Sequence, residues 1–202
     1  MAKKESSLKN MLIALFSVTF IASASLGLVE NATRGAIAEA ARIKQEKAIK
    51  AVLPEFDKLG DAFMVKPKSG PDSLEVFPAY KGSEVVGMAI KTYTNSGFSG
   101  HISVMAGFKP DGTISGYSVL EHKETPGLGT KMVTWFRDAT KAKQNVIGKN
   151  PGNINLTVSK DGGDVDAITA ATISSRAFLD ALQRAYDSVK DIDASTMKGG
   201  SK

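Results

Sequence analysis

Residues 11–29 carry no charge at all, which makes 19 apolar or small polar positions in a row. A helix of that length covers about 28 Å, close to the ~30 Å hydrocarbon core of a bilayer. The pattern predicts a membrane-spanning helix in which Ser17, Thr19, Ser23 and Ser25 bond back to helix carbonyls. A cleaved signal peptide competes with that reading, because Lys3, Lys4 and Lys9 precede the stretch and Ala22-Ser23-Ala24 has the small-x-small pattern of a cleavage site. Residues 33–53 then give a helical rhythm with a broken apolar face (Ile37, Ala40, Ala41, Ala48, Ile49, Val52) that Pro54 ends. Two prolines and a glycine make 66–72 a loop.

The middle of the chain changes to β-prone runs at 85–94, 101–108 and 113–120. Lys109-Pro110-Asp111-Gly112 has tight-turn chemistry, so the last two runs form an antiparallel hairpin. The stretch 95–100 reads as a flexible connection, with Phe98 an exposed or cofactor-facing aromatic. A helix is expected at 131–140 and a short strand at 155–159. Ala177, Phe178, Ala181, Leu182, Ala185 and Val189 then recur at helical spacing. Strand runs with helices around them predict an α+β domain with an antiparallel sheet and flanking helices. The expected organisation is a cytoplasmic N-terminus at 1–10, a transmembrane helix at 11–29, a connecting helix region at 30–65, a folded domain at 66–192 and a disordered tail at 193–202. Positive charges flank the span on both sides (Arg34, Arg42 and Lys44 follow it), but long domains translocate largely regardless of charge. The short lysine-bearing N-terminus therefore sets the orientation, N-terminus inside and domain outside.

Composition narrows the chemistry. Lys and Arg number 26 and Asp and Glu 21, a net charge of +5. The excess is dispersed, with Lys and Glu interleaved across 42–58, and no basic stripe carries aromatics, so nucleic acid is not an expected partner. With no cysteine and two histidines, His101 and His122, disulfides, thiolate nucleophiles and cysteine-ligated clusters are excluded and no zinc set stands out. Redox chemistry on this chain would need an organic cofactor.

Asp166-Ala167-Ile168-Thr169-Ala170-Ala171-Thr172-Ile173-Ser174-Ser175 places hydroxyls just ahead of the last helix. A helix N-terminus offers free N–H donors and partial positive charge, which suit a phosphate. Thr172 or Ser174 there could bind a phosphate, be esterified by one, or simply cap the helix. The stretch resembles the flavinylation motif Asp-x-x-Ser/Thr-Gly-Ala-Thr/Ser, whose last hydroxyl carries FMN through a phosphoester. Asp166, Thr169, Ala171 and Thr172 match, while Ala170 replaces the usual Gly, a change that matters where the backbone needs φ > 0. Upstream, His122-Lys123-Glu124-Thr125-Pro126-Gly127-Leu128-Gly129 followed by Trp135-Phe136 resembles the Glu-Thr-Pro-Gly-Leu-Gly loop of the G subunit of Rnf ion-translocating electron-transport complexes. The C subunit of sodium-translocating NADH:quinone reductase shares that flavin domain. The resemblance runs over nearly the whole chain.

The resemblance implies FMN on Thr172, with Asp166 and Thr169 recognised by a separate flavin transferase that uses FAD as donor. Ser174 and Ser175 are expected to bond the phosphate or cap the helix, and Glu124, Thr125, Gly127, Leu128 and Gly129 to approach the flavin ring. It also implies a bacterial inner-membrane location, membrane lipid around the span and other Rnf subunits as partners. Electron relay is then coupled to Na⁺ or H⁺ transport. Trp135 could stack near a ring but reads first as core beside Val133 and Phe136, and Glu124 could act as acid or base. No catalytic residue and no metal are assigned. Two alternatives stay open: a free-standing, membrane-anchored flavin reductase of a small extracytoplasmic acceptor, and a membrane-tethered binding protein whose hydroxyls only cap a helix.

Overall fold

The computed structural model describes residues 7–190 and 192, so Lys3, Lys4 and the expected tail at 193–202 lie outside the described residues. The chain divides into two units, Met1–Ile43 and Lys44–Lys202. The first is helical from Leu8 onward. Helix α1 spans Leu8–Val52 as one 45-residue element, so the two helices expected at 11–29 and 33–53 are continuous. Glu30-Asn31-Ala32 between them contains neither Pro nor Gly, and nothing there stops the helix. Within it lies a window long and apolar enough to cross a membrane, none of it buried by protein. Of the four hydroxyls expected to bond back, Thr19 does so, donating to the Leu15 carbonyl (3.0 Å), while Ser17, Ser23 and Ser25 make no such bond among the described residues.

The second unit is a three-layer α+β domain. Its sheet comprises β1 (Lys58–Leu59), β2 (Phe63–Val65), β3 (Leu74–Lys81), β4 (Glu84–Gly97), β5 (Gly100–Phe108) and β6 (Ile114–His122). The order is β1-β3-β4-β5-β6, with β2 beside β1 on β3, and every pairing is antiparallel. A single helical turn, α2 (Met132–Trp135), follows the sheet. Helix α3 (Thr172–Val189) packs Ala177, Phe178, Leu182, Ala185 and Val189 against Val76, Met88, Ile90, Val104 and Phe108. On the opposite face the last turns of α1 place Ala48, Ile49 and Val52 on Phe77, Ala79, Ala89 and Met105. Because both faces are covered, the central strands lose the apolar–polar alternation of a one-sided sheet, and seven consecutive residues of β5, Ile102 to Phe108, are buried. Phe178 joins the layers, stacking on Phe136 (4.7 Å) and meeting Tyr117 edge-on (4.9 Å). Burial pushes the Tyr117 phenol above its ordinary pKa, and its hydroxyl donates to the Met132 carbonyl (2.8 Å).

Four local features depart from the sequence pattern. Strand β3 is absent from the sequence pattern. Pro78 sits inside it, and prolines disfavour central strands. The Pro78 carbonyl accepts from Gly60 N–H (2.8 Å), so its donor-less nitrogen points to the same edge, between the short β1 and β2, and costs no bond to β4. The helix expected at 131–140 is one 3-10 turn, Gly129–Lys131, and the α turn of α2. The Asp138 carboxylate ends it by accepting from Thr140 N–H (3.0 Å) and hydroxyl (2.6 Å). The strand expected at 155–159 is a single bridge between Val158 and Val165. The connection at 95–100 is tight, since β4 runs to Gly97 and β5 starts at Gly100.

Candidate flavin site

Three segments distant in sequence meet at one end of the sheet: the β4–β5 turn, the 124–129 loop after β6, and the start of α3. They form a cleft of about 300 Å³ lined by Phe98, Glu124, Thr125, Leu128, Gly129 and residues 170–174. Phe98 (67% exposed), Ile173 (48%) and Leu128 (38%) present apolar surface to it. Of the other exposed large hydrophobics among the described residues of this unit, Leu59, Met64 and Val133, none lines the cleft.

The 124–129 loop folds on itself. Leu128 N–H donates to the Thr125 carbonyl (3.2 Å), and Gly127 N–H to the Thr130 hydroxyl (3.0 Å). Gly127 has φ +75 and faces open space outside the cleft, so it shapes the turn and does not line the site. Gly129 is the glycine that needs close approach. A Cβ there would lie 2.6 Å from Glu124 Oε2 and 2.7 Å from Ser174 Oγ.

Glu124 is 3% exposed. Its Oε1 accepts from Ser99 N–H (2.9 Å) and its Oε2 from the Ser174 hydroxyl. One carboxylate thus ties all three walls together. Both bonds escape sequence reading, because the partners lie 25 and 50 residues away.

The hydroxyls sort differently from expectation. Thr172 is the first residue of α3, and the N-cap is Ala171, which supplies no side-chain bond. Neither serine caps the helix. Ser174 is committed to Glu124, and the fully buried Ser175 accepts from Ile168 N–H (2.9 Å) while donating to the Ala171 carbonyl (2.9 Å). Ser175 does not line the cleft. The first-turn N–H groups of α3 are therefore left without a side-chain cap. The Thr172 hydroxyl has no hydrogen-bond partner among the described residues, and Thr172 lines this cleft. Thr169 is exposed outside it. Asp166 also stands away from the cleft, its Oδ1 accepting from Ser159 Oγ (2.6 Å). Trp135 is a core-edge residue whose indole N–H donates to the Asp166 carbonyl (3.0 Å). His101 is exposed and bonded to Asn95 Oδ1 (2.8 Å), while His122 buries Nδ1 with no partner. Ile173 escapes sequence reading because it falls on the polar side of the helical pattern.

Ala170 has φ +62, and no other non-glycine among the described residues has positive φ. The position where the motif has Gly is thus one that favours Gly. Left-handed backbone costs an L-residue about 1–2 kcal/mol, partly offset by the stiffer unfolded chain of Ala. Ala170→Gly is expected to stabilise the domain by about 1 kcal/mol, or roughly 2–4 °C in Tm. Thermal unfolding followed by circular dichroism checks this, and a lower Tm in the Gly variant would contradict it.

The residues present fit FMN. Apolar side chains suit a planar ring, uncapped N–H donors suit a phosphate, and Thr172 brings an unengaged hydroxyl to the same cleft. Residues 97–187 match the FMN-binding domain family. The chain is similar to the G subunit of an ion-translocating oxidoreductase complex from Shewanella amazonensis, at 32% identity over 90% of this chain and 87% of the relative. The same-named protein from Escherichia coli is 31% identical over 84% and 86%. The G subunit of a Na⁺-translocating ferredoxin:NAD⁺ oxidoreductase complex from Acetobacterium woodii is 29% identical over 82% and 83%. A domain that matches the FMN binders, an anchor-length apolar helix and a likeness running along most of both chains agree: this chain belongs to the G subunits of Rnf-type ion-translocating oxidoreductase complexes, flavoproteins of electron transport.

Proposed function

We propose that this chain relays electrons within a membrane-bound Rnf-type complex through FMN joined by a phosphoester to Thr172, coupled to Na⁺ or H⁺ movement elsewhere in the assembly. The observation that carries the reading is the unengaged Thr172 hydroxyl at an uncapped helix start inside an apolar-walled cleft. When bound, FMN supplies the capacity to accept and pass on electrons, which no side chain of this cysteine-free chain offers. The N–H groups at the start of α3 hold the phosphate, and Phe98, Leu128 and Ile173 shield the ring from water. Glu124, Thr125 and Gly129 shape the wall opposite Thr172, with Gly127 setting the turn. Ser174 and Ser175 fix the helix start from behind.

Attachment is the work of a flavin transferase that cleaves FAD, recognising the exposed Thr169 and the nearby Asp166. Residues 11–29 anchor the chain in the bacterial cell membrane as a single span surrounded by lipid, followed by the connecting stretch at 30–65. The flavin domain, expected at 66–192 and completed by β1, β2 and the last turns of α1 from the connecting stretch, stands on the extracytoplasmic side, docked to the other membrane subunits. The span itself holds no charge, so the ion path belongs to those subunits.

A carrier without a substrate site should be reducible but should not turn over. The purified full-length protein loaded with flavin is expected to bleach with dithionite and to oxidise NADH negligibly. Sustained NADH oxidation by this protein alone would overturn the carrier reading in favour of a free-standing reductase.

A further inference from the structure

Glu124 does more than brace the cleft. It is 3% exposed, it lines the cleft wall, and both of its oxygens accept hydrogen bonds from neutral donors, Ser99 N–H and the Ser174 hydroxyl. Among the described residues no Lys, Arg or His forms an ion pair with it. Its bonding pattern is that of a carboxylate whose charge is not cancelled by a cation. Such a charge acts more strongly where water is excluded, because the Coulomb energy scales inversely with the local dielectric.

Resting on the reading that this cleft takes FMN, we infer that Glu124 sets the redox poise of the flavin, its buried charge holding the reduction potential low. In mildly alkaline buffer the neutral oxidised ring takes up two electrons and one proton and ends with one more negative charge. A fixed carboxylate in the cleft wall opposes that gain, so the flavin is harder to reduce and a stronger donor once reduced. Glu124 acts on the ring through space and is a positioning residue for the walls. Proton transfer is no part of its role.

Glu124→Gln separates charge from bracing. The amide oxygen still accepts from Ser99 N–H, and its NH₂ donates to Ser174 Oγ in place of the original bond. Ser174→Ala does the reverse, keeping the charge and removing a donor whose dipole partly offsets it. Full-length protein co-expressed with its flavin transferase is titrated with dithionite against redox dyes of known potential. The expected result is a positive shift of the flavin midpoint potential in Glu124→Gln and a negative shift in Ser174→Ala. A bracing role alone loosens the cleft in both variants and moves both potentials in one direction, which would overturn the inference, as would an unchanged potential in Glu124→Gln. If the Gln variant takes up no flavin, a positive or unchanged potential in Ser174→Ala would overturn the inference. Native protein that carries no flavin when co-expressed would count against the FMN reading instead, so the two failures are distinguishable.

Discussion

Thr172→Ala is expected to abolish covalent flavin while leaving the domain folded. A phosphoester needs a hydroxyl that is free, placed at the binding cleft and close to donors that hold the phosphate. Among the motif hydroxyls, Thr172 has all three attributes. Ser174 is spent on Glu124, Ser175 is buried between Ile168 and Ala171, and Thr169 is exposed away from the cleft. The folding cost of the substitution is small. Thr172 is the first helical residue and not the cap, and its side chain makes no bond to lose. Ala is also the better helix former, by up to about 0.7 kcal/mol. The prediction is checked on a denaturing gel under ultraviolet light. Native protein co-expressed with its transferase fluoresces, Thr172→Ala is dark with a Tm near the native value, and Thr172→Ser retains fluorescence. Fluorescence that persists in Thr172→Ala would move the attachment elsewhere, with Thr169 the first residue to examine.

Gly129→Ala is expected to damage fold and loading together. The added methyl would stand 2.6 Å from Glu124 Oε2, 2.7 Å from Ser174 Oγ and 2.8 Å from Glu124 Cβ. None of these groups has room to retreat, since Glu124 and Ser174 are 3% and 2% exposed and bonded to each other. Overpacking costs about 1–3 kcal/mol, and breaking the bond leaves a buried acceptor unsatisfied, for a similar amount. The sum expected is about 3 kcal/mol, or roughly 6–12 °C in Tm. The parting of Glu124 from Ser174 also moves the loop off the helix start, so flavin per protein falls. Gly127→Ala is the contrast: its Cβ meets nothing within 4 Å, and only φ +75 opposes it, at about 1 kcal/mol. Thermal unfolding and the absorbance of the denatured proteins at the flavin band check the pair. Equal losses in the two variants would contradict the packing argument.

Whatever depends on local spacing is legible in the residues. The rhythm from Ala177 to Val189 marks α3 because one face of that helix meets the sheet. Pro110-Asp111-Gly112 marks the β5–β6 turn, where Gly112 N–H donates to the Lys109 carbonyl (2.9 Å). Strand β3 stays hidden because a sheet covered on both faces does not alternate and because Pro78 signals against a strand until its neighbours are known. Within the site, Thr172 and the 124–129 loop are legible as motifs. The N-cap role expected of the hydroxyls is not what the chain adopts, because Glu124 and Ile168 compete for Ser174 and Ser175 from other segments. The sequence raises the question of left-handed backbone at Ala170, and φ +62 answers it.

The most direct test of the central claim is the mass of the intact, full-length protein expressed with its flavin transferase, followed by fragmentation of the peptide that contains residues 166–176. The account predicts a gain of one FMN less one water, carried on Thr172. An unmodified mass, or an adduct on Thr169, would contradict it.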